Sequence, residues 1–92
     1  MNKQNFKPRG QNLKHYNNAL AMQARLDKKM SDAFDRNASE DELDRIDAEQ
    51  TRNTLYKLLA WYPDRHHYSI DTIKTFREID ADNVKKGLIA KI

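Results

Sequence analysis

His66 and His67 stand side by side, with Asp64 and Asp71 nearby in the chain and His15 far upstream. A metal ion needs ligands that converge, whereas adjacent histidines point in different directions on a helix or a strand, and no HxxxH or HExxH spacing is present. They read instead as loop histidines, whose near-neutral titration suits phosphate or backbone contacts. Asp80-x-Asp82 opens like a calcium loop, but Val84 occupies a ligand position, Lys85 stands where glycine is needed and Lys91 replaces the closing glutamate. That pair reads as a helix cap. Nucleophilic catalysis finds no GxSxG elbow, and Ser31, Ser39 and Ser69 have ordinary helix-entry settings. The carboxylates of residues 40–49 belong to a solvated helix face, where none gains the desolvation a general acid requires. No glycine-rich phosphate loop exists. The expectation is a protein that is not an enzyme and holds no cofactor.

Basic and aromatic side chains carry more. Lys3, Lys7, Arg9 and Lys14 lie at one end, followed much later by Arg65, His66 and His67, then Lys74, Arg77, Lys85 and Lys86. These groups form one cationic surface if the N-terminal arm folds toward the C-terminal half. Each phosphate neutralised there steepens the salt dependence by about 0.9 in log–log slope for duplex DNA and about 0.7 for single strands. Trp61 and Tyr68, in the densest aromatic and cationic stretch of the chain, add stacking faces or protein anchors. The competing reading makes Trp61 and Tyr62 a lid on the core and the lysines ordinary surface.

Charge is dealt in blocks. Residues 1–29 hold seven Lys or Arg against one acid, for +6; residues 30–50 hold two against eight, for −6; residues 51–92 hold eight against five, for +3. Such polarity steers partners rather than building a fold. The acidic block either complements a helix start and answers Lys28 and Lys29, or engages a basic surface as phosphates would. Both signs on separate faces suit a protein or ribonucleoprotein partner with RNA or DNA phosphates. A chain of 92 residues buries only about 60 to 65% of its unfolded surface, which argues against a deep small-molecule cavity. The absence of cysteine removes disulfides and thiolate chemistry, and no apolar run reaches the roughly 20 residues of a membrane span. A cytoplasmic location and no membrane partner are expected.

The elements that must position these groups are mainly α. Residues 1–11, with Pro8 and Gly10, read as a basic arm, and 12–92 as a single helical domain. Leu13, Tyr16, Ala19, Leu20, Leu26, Met30, Ala33 and Phe34 recur at intervals of mostly three and four, which predicts a helix over 12–35. Ser39 and Glu42 make a capping box for a second helix over 40–62, and Pro63 ends it. The short link makes an antiparallel hairpin, with Lys28 and Lys29 expected near Asp41 and Asp44. Gln50, Thr51 and Asn53 interrupt the second stripe, so its middle carries hydrogen-bonded polar contacts or faces solvent. Ile70, Ile73, Phe76 and Ile79 predict a third helix, in competition with a strand across 68–76 that would give a minor β component. A break at 80–83 and a short terminal helix through Val84, Leu88 and Ile92 complete the expectation.

In size, charge and lack of catalytic motif, the whole chain resembles the small proteins bacteriophages make against host machinery. It is most similar in kind to anti-CRISPR proteins of the type I-F group. That resemblance implies a stoichiometric inhibitor, active in the bacterial cytoplasm, that binds a crRNA-guided surveillance complex and prevents target DNA recognition. A shorter likeness, through Ser39, Glu42, Leu43, Arg52 and Pro63, is to the haemolysin-expression modulators. It implies a small nucleoid-associated or DNA-binding transcriptional modulator.

Overall fold

The structure, a computed structural model, describes residues 10–61 and 67–92. Three helices follow in order, α1 (Gln11–Asp35), α2 (Glu40–Trp61) and α3 (His67–Lys85). The fold is mainly α, and no strand occurs among the described residues.

α1 contains no β-branched residue, glycine or proline over its 25 residues, so nothing in it opposes a helix. Asn12, Tyr16, Ala19, Gln23, Leu26, Met30 and Ala33 alternate at four and three residues, and all are buried or half-buried. This is the 3.5-residue repeat that keeps one seam against a partner helix. The broader stripe expected from the sequence is narrower in fact, since Leu13, Leu20 and Phe34 are exposed and Phe34 is 61% accessible. α1 ends on Asn37 in the left-handed region (φ 54), with Ala38 N–H donating to Ala33 O at 2.9 Å and Asn37 N–H to Phe34 O at 3.1 Å. That is a Schellman turn, with asparagine in the place usually taken by glycine.

Ser39 caps α2 as expected, its Oγ accepting from Glu42 N–H at 3.1 Å. The Glu42 carboxylate turns instead to Arg36 and ties the two helix ends together. α1 and α2 then run antiparallel along a seam that is partly polar. Asn53, 8% accessible, donates from Nδ2 to the Ala19 carbonyl at 2.8 Å. Gln50 donates to Asp27 at 3.1 Å, and Lys57 donates to Gln23 at 2.7 Å. The interruption of the α2 stripe is thus the hydrogen-bonded alternative, and polar groups at such positions set helix register. In that register Lys29 meets Glu49 at 3.2 Å, not Asp41 or Asp44 as expected. Asp41 is taken by Arg45 one turn along α2, at 2.9 Å.

α2 is the middle element. It packs against α1 on one side and α3 on another, while α1 and α3 do not meet. The second seam is built from Ile73, Phe76, Asp80 and Asn83 at intervals of three and four, against Ala48, Arg52, Leu55 and Leu59 of α2. α3 therefore passes straight through 80–83, where a break was expected. Asp80 and Asn83 are buried on its inner face, so Asp80 is a packing partner and not a cap. The strand alternative for 68–76 is likewise replaced by helix. No terminal helix follows. Gly87 takes a positive φ of 75, and Leu88 N–H donates to Asn83 O at 2.9 Å while Gly87 N–H donates to Val84 O at 3.0 Å. This second Schellman turn reverses the chain, and Gly87 ends α3 where a terminal helix was expected to run on through Leu88 and Ile92.

Residues 88–92 then run back over α2. Arg45 donates to the Gly87 carbonyl at 3.0 Å, and Arg52 donates to the Ala90 carbonyl. The tail bends at Leu88 and Ile89 and is held on α2 by these two arginines, with Ile89 toward the α1–α2 side and Lys91 toward α3.

Candidate functional site: a basic face on α3 beside an apolar groove

Helical geometry decides which predicted cations share a surface. Lys74, Arg77 and Lys85 of α3 are spaced i, i+3 and i+11, which places them along one side, with Ala81 between Arg77 and Lys85 and Ile70 one turn before Lys74. All five residues are exposed. Among the described residues, the side chains of Lys74, Arg77 and Lys85 make no ion pair or hydrogen bond, and Lys91 on the tail is in the same condition. Asp71, Glu78 and Asp82, at i, i+7 and i+11, form the adjoining stripe farther from the core. The acid nearest the basic stripe on its inner side is Asp80, and its charge is already answered. Arg52 grips it from Nε at 3.0 Å and Nη2 at 3.2 Å, with the two side chains 13% and 11% accessible.

This buried pair has a second consequence. Because Arg52 neutralises Asp80, the groove between α3 and the tail keeps the positive sign of its rim. That groove encloses about 530 Å³. Leu55, Tyr56 and Leu59 of α2 and Val84 of α3 make it apolar, while Arg77, Lys85 and Lys91 stand around it. On the far side of the tail a larger groove of about 670 Å³ runs between α1 and α2, with Met22, Leu26, Leu59 and Ile89 among its lining and His15, Glu49 and Arg52 as its ionisable groups. Tyr56, 44% accessible, lines both. Among the described residues, no group of three or more His, Cys, Asp or Glu is placed to hold a metal ion.

The remaining candidates fall elsewhere. Lys14 is exposed on α1, which does not touch α3. Lys86 lies one residue past α3 and pairs with Asp82 at 2.8 Å. The hydrogen bond to Asp82, then its charge, raise Lys86 above the usual lysine value, and Asp44 pulls in the same direction. The share of Lys86 in this pair is therefore complete at neutral pH and falls away as pH climbs past that raised value. Trp61 is the last residue of α2, and His67 and Tyr68 are the first of α3. Lys3, Lys7, Arg9, Arg65 and His66 lie outside the described residues.

Arg52, Tyr56, Asp80 and Lys91 were not read from the sequence as parts of this region. One signal was available: Asp80 falls on the same three-and-four spacing as Ile73, Phe76 and Asn83, and a carboxylate on a buried face demands a cation opposite. Nothing local points to the tail, because its placement depends on two arginines about forty residues away in sequence.

The acidic end behaves differently. Glu42 pairs with Arg36, Asp41 with Arg45 and Glu49 with Lys29, each between neighbours in the hairpin. The hydrogen bond and the charge of Glu42 raise Arg36 above the usual arginine range. Asp35 and Glu40 make no such contacts and are exposed at the turn.

No helix among the described residues is long and apolar enough to cross a membrane. Compared with known proteins, the chain matches no family model, and no curated protein or solved structure shows significant similarity to it.

Proposed function

We propose that the chain is a non-catalytic binding protein whose basic α3 face engages anionic groups on a nucleic-acid-containing assembly and blocks that assembly by occupying it. The observation that supports this reading is the row Lys74, Arg77 and Lys85, left without acid partners in a protein that pairs many of its other charges. Unpaired cations aligned on a rigid helix meet phosphates without first breaking internal contacts. The whole-chain likeness to anti-CRISPR proteins makes a crRNA-guided surveillance complex the first assembly to test.

The stripe of Asp71, Glu78 and Asp82 bears on the competing reading as a duplex-DNA regulator. A helix seated in a major groove has phosphates on both sides. Here one side of α3 would bring carboxylates against them. The arrangement suits a partner that approaches over the basic flank and the groove beside it.

Titration of an assembled crRNA-guided complex of type I-F with the protein tests the reading. Loss of target DNA binding should be complete near one equivalent per binding site, and free RNA or duplex DNA should bind far more weakly, with a steep salt slope. Full target binding at excess protein would refute this assembly as the partner, and tight binding to duplex DNA alone would favour the regulator.

A further inference from the structure

The groove between α3 and the tail combines two features that call for one kind of occupant. Its floor is apolar, from Leu55, Leu59 and Val84 with Tyr56 at the edge, and three cations surround it, Arg77, Lys85 and Lys91. Among the described residues, the one side-chain carboxylate in its lining, Asp80, is neutralised by Arg52. A well-matched occupant presents an apolar side chain flanked by carboxylates.

Such a surface exists on this chain. Phe34, at the end of α1, is 61% accessible, although it lies on the first turn of a Schellman motif where the backbone is fixed. Asp35 follows it directly, and Glu40 opens α2 across the turn; both are exposed and carry no ion pair. Phe34 lines neither this groove nor the larger one across the tail. The aromatic projection and the basic-rimmed slot are therefore separate surfaces of opposite sign on the same molecule.

We propose that the groove receives the Phe34 turn of a second copy of this chain, with the ring on Leu55 and Leu59 and the carboxylates of Asp35 and Glu40 toward Arg77, Lys85 and Lys91. The contact joins two different surfaces, so it is heterologous and extends head to tail instead of closing on a two-fold axis. Weak association is expected, because one aromatic anchor and rim ion pairs must offset the loss of translational and rotational freedom. The inference shares Arg77 and Lys85 with the functional reading, and adds to them Lys91 and the apolar floor.

Sedimentation velocity across a concentration series tests it, at low ionic strength and at about 0.5 M salt, where charge is largely screened. At low salt the average mass should rise steadily with concentration up to about 1 mM, and high salt should shift that rise to higher concentration. Two variants then separate the halves of the contact. Phe34→Ser removes the projection and leaves the groove, whereas Lys85→Glu with Lys91→Glu removes the groove's sign and leaves the projection. Each should sediment as a monomer alone, with unchanged helix content by circular dichroism. Mixed, they should form a one-to-one pair that does not grow further, since each supplies the half the other lacks. A constant monomer mass for the unaltered protein would overturn the proposal, as would association by either variant alone or a mixture that stays monomeric. The mass series reads self-association alone, and the functional reading is tested separately by binding to the assembled complex, so either can fail without the other.

Discussion

The acidic hairpin turn and the basic flank of α3 use their charge differently. In the hairpin Glu42, Asp41 and Glu49 are each matched by a cation, so three of the eight acids of residues 30–50 hold helix ends and register. On α3, Lys74, Arg77 and Lys85 have no partner among the described residues, and the buried acid beneath them is neutralised by Arg52. Charge content alone does not distinguish a structural region from an interaction surface. Pairing together with alignment beside an apolar groove separates them here, because an already paired group must give up a contact before it can serve a partner.

The comparison is sharpened most by the pair that separates the two regimes. Removing the carboxylate in Asp80→Ala leaves the Arg52 guanidinium buried and uncompensated, which should cost about 3 to 5 kcal/mol in urea unfolding. The double change Arg52→Met with Asp80→Leu should recover most of that, because the penalty belongs to the orphaned charge. If the single variant loses less than about 1 kcal/mol, the pair is solvated and the distinction between buried and surface charge fails.

A smaller effect is expected at the α1–α2 seam. Asn53→Ala removes the donor to the Ala19 carbonyl and should lower stability by about 1 to 2 kcal/mol. At the acidic turn itself, Ser39→Ala should cost about 1 kcal/mol through loss of the cap, with no effect on partner binding. Asn83 gives the smallest change and the opposite sign. Its Nδ2 is buried without a hydrogen-bond partner, so Asn83→Leu should raise the unfolding midpoint slightly, by less than about 1 kcal/mol.

The hairpin was legible because its signals are local: three-and-four spacing in α1, Ser39 three residues before Glu42, and a short link between them. Its register was not, since Lys29 chooses Glu49 through packing at Asn53 and Gln50, which sequence spacing does not encode. The end of α3 was misread for a related reason. Asp80, Asp82 and Asn83 are turn-forming residues in isolation, but Arg52 of another helix gives Asp80 a place inside one. Gly87, with Leu88 behind it, holds the true stop in its positive φ. Of the basic surface, the sequence supplied the side chains but could not say which were paired, because pairing depends on contacts between helices.

The most direct test compares two equal charge reversals on different helices, Lys74→Glu with Arg77→Glu on α3 and Arg25→Glu with Lys28→Glu on α1. All four residues are exposed, so stability should move by less than about 0.5 kcal/mol in both variants. Affinity for the assembled crRNA-guided complex is then measured for both at one salt concentration. The α3 variant should bind at least about tenfold more weakly than the unaltered protein, and the α1 variant within about threefold of it. Equal losses from both would show that only net charge matters, and unchanged binding by the α3 variant would contradict the role assigned to that face.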